Sequence, residues 1–111
     1  MARQRPSDQW AEFALRLGVN IQRLRVQRGL TQEQLAYGSG IARCTFQKFE
    51  KGESMPGTSA NPSLKNIMAI AQVLDVTLDE LVPEEWPDLR AGGVTVDESG
   101  ARHASQGRKR A

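Results

Sequence analysis

A chain of 111 residues, 39% of them hydrophobic, has room for one small core and flanking tails. Its net charge of +2 and pI of about 9.0 are mildly basic, so the placement of the charges decides more than their sum. A single cysteine, Cys44, excludes an internal disulfide, and with one distant histidine, His103, it makes a Cys/His metal site untenable. No apolar run approaches the roughly 18 residues of a membrane span, and MARQRPSDQW lacks the apolar stretch of a signal peptide. A reducing cytoplasm is the expected compartment, with no membrane partner.

Residues 1–6, with Arg3, Arg5 and Pro6, read as a loose arm. Ser7 suits a helix N-cap, with Asp8 in the first turn. Trp10, Phe13, Leu17, Ile21 and Leu24 then recur at helical spacing. Gly18 interrupts them, leaving one helix or two abutting ones, and Arg28-Gly29 ends the run. Thr31 and Gln34 have capping-box spacing for a second helix, in which Leu35 and Ala36 face inward and Gly38-Ser39-Gly40 makes the break. Ile41 restarts an apolar face, continued by Thr45, Phe46 and Phe49, and Gly52 closes that third helix.

Residues 53–60, ESMPGTSA, read as a loop. Asn61-Pro62 has the form of an N-cap with proline at the first helical position. A fourth helix follows with Leu64, Ile67, Met68, Ala71 and Leu74 on its inner face. Thr77 caps a last short helix with Leu78, Leu81 and Val82 turned inward, and Pro83 stops it. From Glu84 to Ala111 the chain is poor in apolar residues and is expected to be a disordered tail. The expected domain, 7–83, is an all-α bundle of four to five short helices.

Two short helices joined by GSGI match a helix-turn-helix in length and turn chemistry. On the second of them, about residues 42–51, Arg43, Cys44, Gln47 and Lys48 share one outward face, since i, i+4 and i+1, i+5 project together. A major groove admits one α-helix, and its base edges offer paired donors and acceptors that Arg, Lys and Gln can meet two at a time. The charges agree. Between Ile21 and Gly52, six cations (Arg23, Arg25, Arg28, Arg43, Lys48, Lys51) stand against Glu33 and Glu50, a net +4. Between Glu53 and Val82, Lys65 stands against four carboxylates, a net −3. The positive half holds the helix-turn-helix and suits phosphates.

In combination, GLTQEQLA, the FEKG that ends the third helix, NPSL and LDVTLDEL are specific. Over about Leu17 to Val82 the chain resembles the Cro/C1-type helix-turn-helix domain, also called the XRE family. The resemblance implies a lambda-repressor-like bundle that reads double-stranded DNA, usually as a homodimer on a pseudo-palindromic site. By that resemblance Gln32 anchors the second helix to the DNA backbone. Arg43, Cys44, Gln47 and Lys48 meet bases, and Thr45 and Lys51 contact phosphate. Arg25 and Glu50 form a structural ion pair between the first and third helices. The chain departs from the family in a connection over 53–61 about six residues longer than usual, in Cys44 at a reading position, and in Trp10 and Phe13 ahead of the usual start.

Each of these features also has a plainer explanation. Arg43, Gln47 and Lys48 taken alone are an ordinary solvated helix face. Trp10 and Phe13 are core cover or a dimer contact. Cys44 packs on a thymine methyl, fills space, or acts as a redox switch that lacks a resolving thiol. GRKRA near the C-terminus is a charge run of the solvated kind. No nucleophile–base pair, phosphate-cradling loop or carboxylate cluster marks an enzyme, and no cofactor or metal is expected. The leading expectation is a sequence-specific DNA-binding transcriptional regulator, a repressor. The alternative is an antitoxin or other protein-interaction module on the same fold, with a toxin or another protein as partner.

Overall fold

The computed structural model describes residues 6–91 and Val96. Among them are five helices and one two-stranded antiparallel sheet. Helix α1 (Pro6–Gln27) is continuous. It begins one residue before the expected Ser7 cap, because proline's fixed φ already suits a first helical position. Gly18 does not break it. A Cβ at residue 18 would lie 2.3 Å from the carbonyl oxygen of Glu50 and 2.7 Å from that of Phe49, so the glycine marks where the backbone of the third helix crosses α1.

Helix α2 (Gln32–Ser39) starts with the expected capping box. The Gln34 amide donates to Thr31 Oγ1 at 3.0 Å, and the Thr31 amide donates to Gln34 Oε1 at 2.9 Å. The helix continues through Gly38 and ends at Gly40, whose φ of 70° lets the chain turn left-handed into α3 (Arg43–Lys51). Gly52 caps α3 at its far end.

The segment read as a loop is a small hairpin. Strand β1 (Glu53–Met55) pairs with β2 (Thr58–Ser59), with Glu53 opposite Ser59, Met55 opposite Thr58 and an irregularity between them. Pro56-Gly57 makes the turn, with Gly57 at φ 82°, the positive value that position i+2 of a type II turn requires. Helix α4 (Leu64–Leu74) starts later than Asn61-Pro62 suggested. Ser63 is the N-cap, and its hydroxyl accepts from the Asn66 amide at 3.1 Å. Ile67, Ile70, Ala71 and Leu74 form its buried stripe, whereas Leu64 and Met68 are 68% and 44% exposed. Ile70 sets that register and turns Met68 toward the rim. Asp75, at φ 58°, ends α4. Helix α5 (Leu78–Leu81) carries a second capping box, between Thr77 and Glu80. Leu81 is fully buried, Val82 half-buried and Leu78 41% exposed, so one of the three expected inward residues faces out.

Phe46, Ile21, Leu35, Ile70, Leu74 and Leu81 form the centre of one core shared by all five helices. Long polar side chains tie its edges. Arg28 donates from Nε to the Leu74 carbonyl at 2.6 Å and from Nη2 to that of Asp75 at 3.2 Å, satisfying the C-terminus of α4 with a cation where the helix dipole favours one. Residues 84–91 follow α1 back toward its start: Arg16 Nη2 donates to the Glu85 carbonyl and the Asp88 amide donates to Gln9 Oε1, both at 3.0 Å. The rest of the expected tail, 92–95 and 97–111 with His103, lies outside the described residues, as do residues 1–5 of the expected arm.

Candidate nucleic-acid interface

Helix α3 is strongly two-sided. Phe46 and Phe49 are buried with Ile41 ahead of them, and Arg43, Cys44, Gln47, Lys48 and Lys51 are exposed. Thr45, expected on the apolar side, is half-buried at the boundary. Lys48 and Lys51 also stand in the last turn, where the helix dipole favours cations. Cys44 is exposed, and its thiol is free.

Beneath this face runs a line of hydrogen bonds through three helices. Arg25 of α1 donates from Nε to Glu50 Oε2 at 2.6 Å and from Nη2 to Glu50 Oε1 at 3.2 Å, a two-point clamp between α1 and α3. The side chains of the pair are 12% and 5% exposed. Arg25 Nη1 also donates to the Leu30 carbonyl at 3.0 Å, holding the turn before α2. Gln32, half-buried at the start of α2, donates from Nε2 to Glu50 Oε1 at 2.8 Å. A carboxylate only accepts, so this bond fixes the Gln32 amide with its oxygen pointing away. That oxygen accepts from Gln47 Nε2 at 3.2 Å. An exposed side chain of α3 is thereby oriented by a largely buried ion pair.

Arg43 has a looser setting. Its Nη1 lies 3.4 Å from Glu33 Oε2, with both side chains largely exposed. Such a pair is weak and readily exchanged for a better acceptor. Thr45 and Lys48 line a shallow open cleft of about 820 Å³, whose other walls are the hairpin and the first turns of α1. The structure therefore brings Gln32, Gln47, Glu50 and Arg25 into one chain of bonds and places Thr45 and Lys48 together at the cleft. Arg43, Cys44 and Lys51 lie outside both groups.

Sequence reasoning missed the hairpin wall of this cleft and its anchor. Trp10 Nε1 donates to the Ala60 carbonyl at 3.1 Å, and the Ala60 amide donates to the Gly52 carbonyl at 2.9 Å. The Pro56-Gly57 pair was the available signal for the turn. The Trp10 ring also lies 5.4 Å from that of Phe13, which is buried. Among the described residues no group of three or more His, Cys, Asp or Glu could hold a metal, and no helix is long and apolar enough to cross a membrane.

A family model described as helix-turn-helix matches residues 21–81. The chain is 34% identical over 69 residues to the cryptic phage CTXphi transcriptional repressor RstR of Vibrio cholerae, covering 62% of this chain and 57% of that protein. It is 34% identical over 65 residues to the HTH-type transcriptional activator BcrR of Enterococcus faecalis, covering 59% of this chain and 29% of that one. Both matches thus span less than two thirds of the relative. Among solved structures, the restriction-modification controller protein C.AhdI from Aeromonas hydrophila superposes with a TM-score of 0.54 at 35% identity, over 61% of this chain and 94% of that one. With the two capped helices, the left-handed turn at Gly40 and the polar face of α3 in place, the chain belongs to the Cro/C1-type helix-turn-helix family of transcriptional regulators.

Proposed function

We propose that this chain binds a specific duplex DNA sequence by seating α3 in the major groove, and that it represses transcription from that site. The carrying observation is the exposed face of α3, where Gln47 is held by Gln32 and, through it, by the largely buried Arg25–Glu50 pair. A side chain oriented before binding loses less entropy when it meets a base edge. In this reading Arg43, Cys44, Gln47 and Lys48 meet bases. Arg43 and Gln47 have the donor patterns for guanine and adenine edges, and Cys44 offers only a small, weakly polar surface. Gln32 anchors the start of α2 on the backbone, Thr45 and Lys51 contact phosphate, and Arg25 with Glu50 holds the frame. The names of RstR as a repressor and C.AhdI as a controller support a regulatory role.

The protein acts as a homodimer, one α3 per half-site, in the cytoplasm where it meets DNA. Half-sites one helical turn apart, roughly 34 Å, are the geometry such dimers use. Selection of bound sequences from a random DNA pool tests the reading. A recovered palindrome supports both sequence reading and the dimer. Enrichment of no motif refutes sequence-specific binding, and a single unrepeated motif refutes the two-fold arrangement.

A further inference from the structure

We infer that the 53–59 hairpin is a wing that grips the sugar–phosphate backbone at the edge of the groove α3 enters. The inference rests on the major-groove reading above and extends it to an element outside the helix-turn-helix. Lys48 is its geometric basis. That residue belongs to the exposed face of α3 and also lines the cleft beside the hairpin, so the cleft adjoins the reading face. A duplex seated on α3 brings a backbone strand to this cleft.

The lining suits such a strand. Thr45 and Lys48 on α3 face Thr58, Ser59 and Asn61 across the cleft. Hydroxyl, amide and ammonium groups all donate to phosphate oxygens. Asp8 also lines the cleft, from the α1 wall, and its carboxylate confines an anion to the side between hairpin and α3. Glu53, the hairpin's own carboxylate, is not among the residues lining this cleft; it lines an adjoining depression with Ala11, Leu15, Thr58 and Ser59.

The hairpin is also rigidly coupled to the reading helix. Only Gly52 separates the last residue of α3 from β1. The Trp10 indole holds the Ala60 carbonyl, and the Ala60 amide holds that of Gly52. A wing so fixed follows α3 into its complex and adds contacts without new ordering cost.

The test uses the full chain with the double substitution Thr58→Ala plus Asn61→Ala, and separately Thr58→Glu. Thr58 and Asn61 are exposed, so both proteins should melt like the parent. The probes are duplexes of the selected sequence and of a scrambled sequence of the same composition. The double variant should bind each about tenfold more weakly. Its salt slope should be unchanged, because no charge is lost. Thr58→Glu should bind more weakly still, and hydroxyl-radical protection should vanish from one backbone stretch per half-site in both variants. Unchanged affinity and an unchanged footprint in these variants overturn the wing. If Arg43→Ala still loses sequence preference in that case, the major-groove reading survives alone. If Arg43→Ala is silent too, that reading falls with it.

Discussion

Replacing Glu50 by alanine removes the central acceptor of the frame. Arg25 would keep one acceptor, the Leu30 carbonyl, for a guanidinium whose side chain is only 12% exposed. Stranding a buried charge in this way costs about 3–5 kcal/mol. Gln32 would lose its 2.8 Å bond in the same step, and with it the orientation of Gln47. Small domains hold roughly 5–15 kcal/mol in total, so the variant should approach the unfolding threshold. Denaturant unfolding reads the loss as a lower midpoint at constant slope. The paired substitution Arg25→Met with Glu50→Leu isolates the cause. With no charge left to strand, it should recover most of the stability, since well-packed apolar replacements of buried ion pairs are often neutral or better. A loss below about 1 kcal/mol in Glu50→Ala, the level of an exposed pair, would refute the reasoning. So would a double variant as unstable as the single one.

Gly18→Ala should cost about 1–3 kcal/mol or more by forcing α1 from the backbone of α3, and thermal melting would show it. Thr31→Ala removes one half of a complete capping box and should cost about 1 kcal/mol in denaturant unfolding. Trp10→Phe retains an aromatic ring beside Phe13 but deletes the donor to the Ala60 carbonyl. Amide exchange should then quicken at the hairpin while the protection of α4 stays unchanged.

Local chemistry was legible wherever neighbours in sequence settle it. The Thr31–Gln34 capping box closes within three residues, Thr77 caps the helix that it directly precedes, and Ile41, Phe46 and Phe49 reveal their shared face by spacing alone. Gly18 was ambiguous, because a helix break and a close approach both call for glycine, and only the position of α3 separates them. Of the hairpin, only the Pro56-Gly57 turn had a signal, and its strands were hidden for a related reason. Its strands of three and two residues carry no β-branched run and depend on Trp10, fifty residues away from Ala60. At the start of α4, Asn61-Pro62 suggested the cap, but Ser63 takes that place, its hydroxyl accepting from the Asn66 amide. Leu64, Met68 and Leu78 are apolar at plausible inner positions, yet they are exposed, because spacing within one helix does not show how far its neighbours cover it. For the interface, periodicity indicated which side chains share the outer face of α3. The line from Gln47 through Gln32 to Glu50 joins residues 15 and 18 apart on different helices, which no periodicity within one helix can reveal.

The central claim is that α3 reads bases, and equilibrium titration of Arg43→Ala and Lys51→Ala against the selected and the scrambled duplex, at two salt concentrations, tests it most directly. Arg43→Ala should lose about 1–3 kcal/mol on the selected site and relax preference at one base position per half-site. Lys51→Ala should weaken both duplexes equally and lower the salt slope by about one unit. If Arg43→Ala instead behaves like Lys51→Ala, Arg43 anchors phosphate and the reading passes to Gln47 and Lys48. If neither variant changes binding to either duplex, the polar face of α3 is a solvated surface, and the proposed major-groove reading is contradicted.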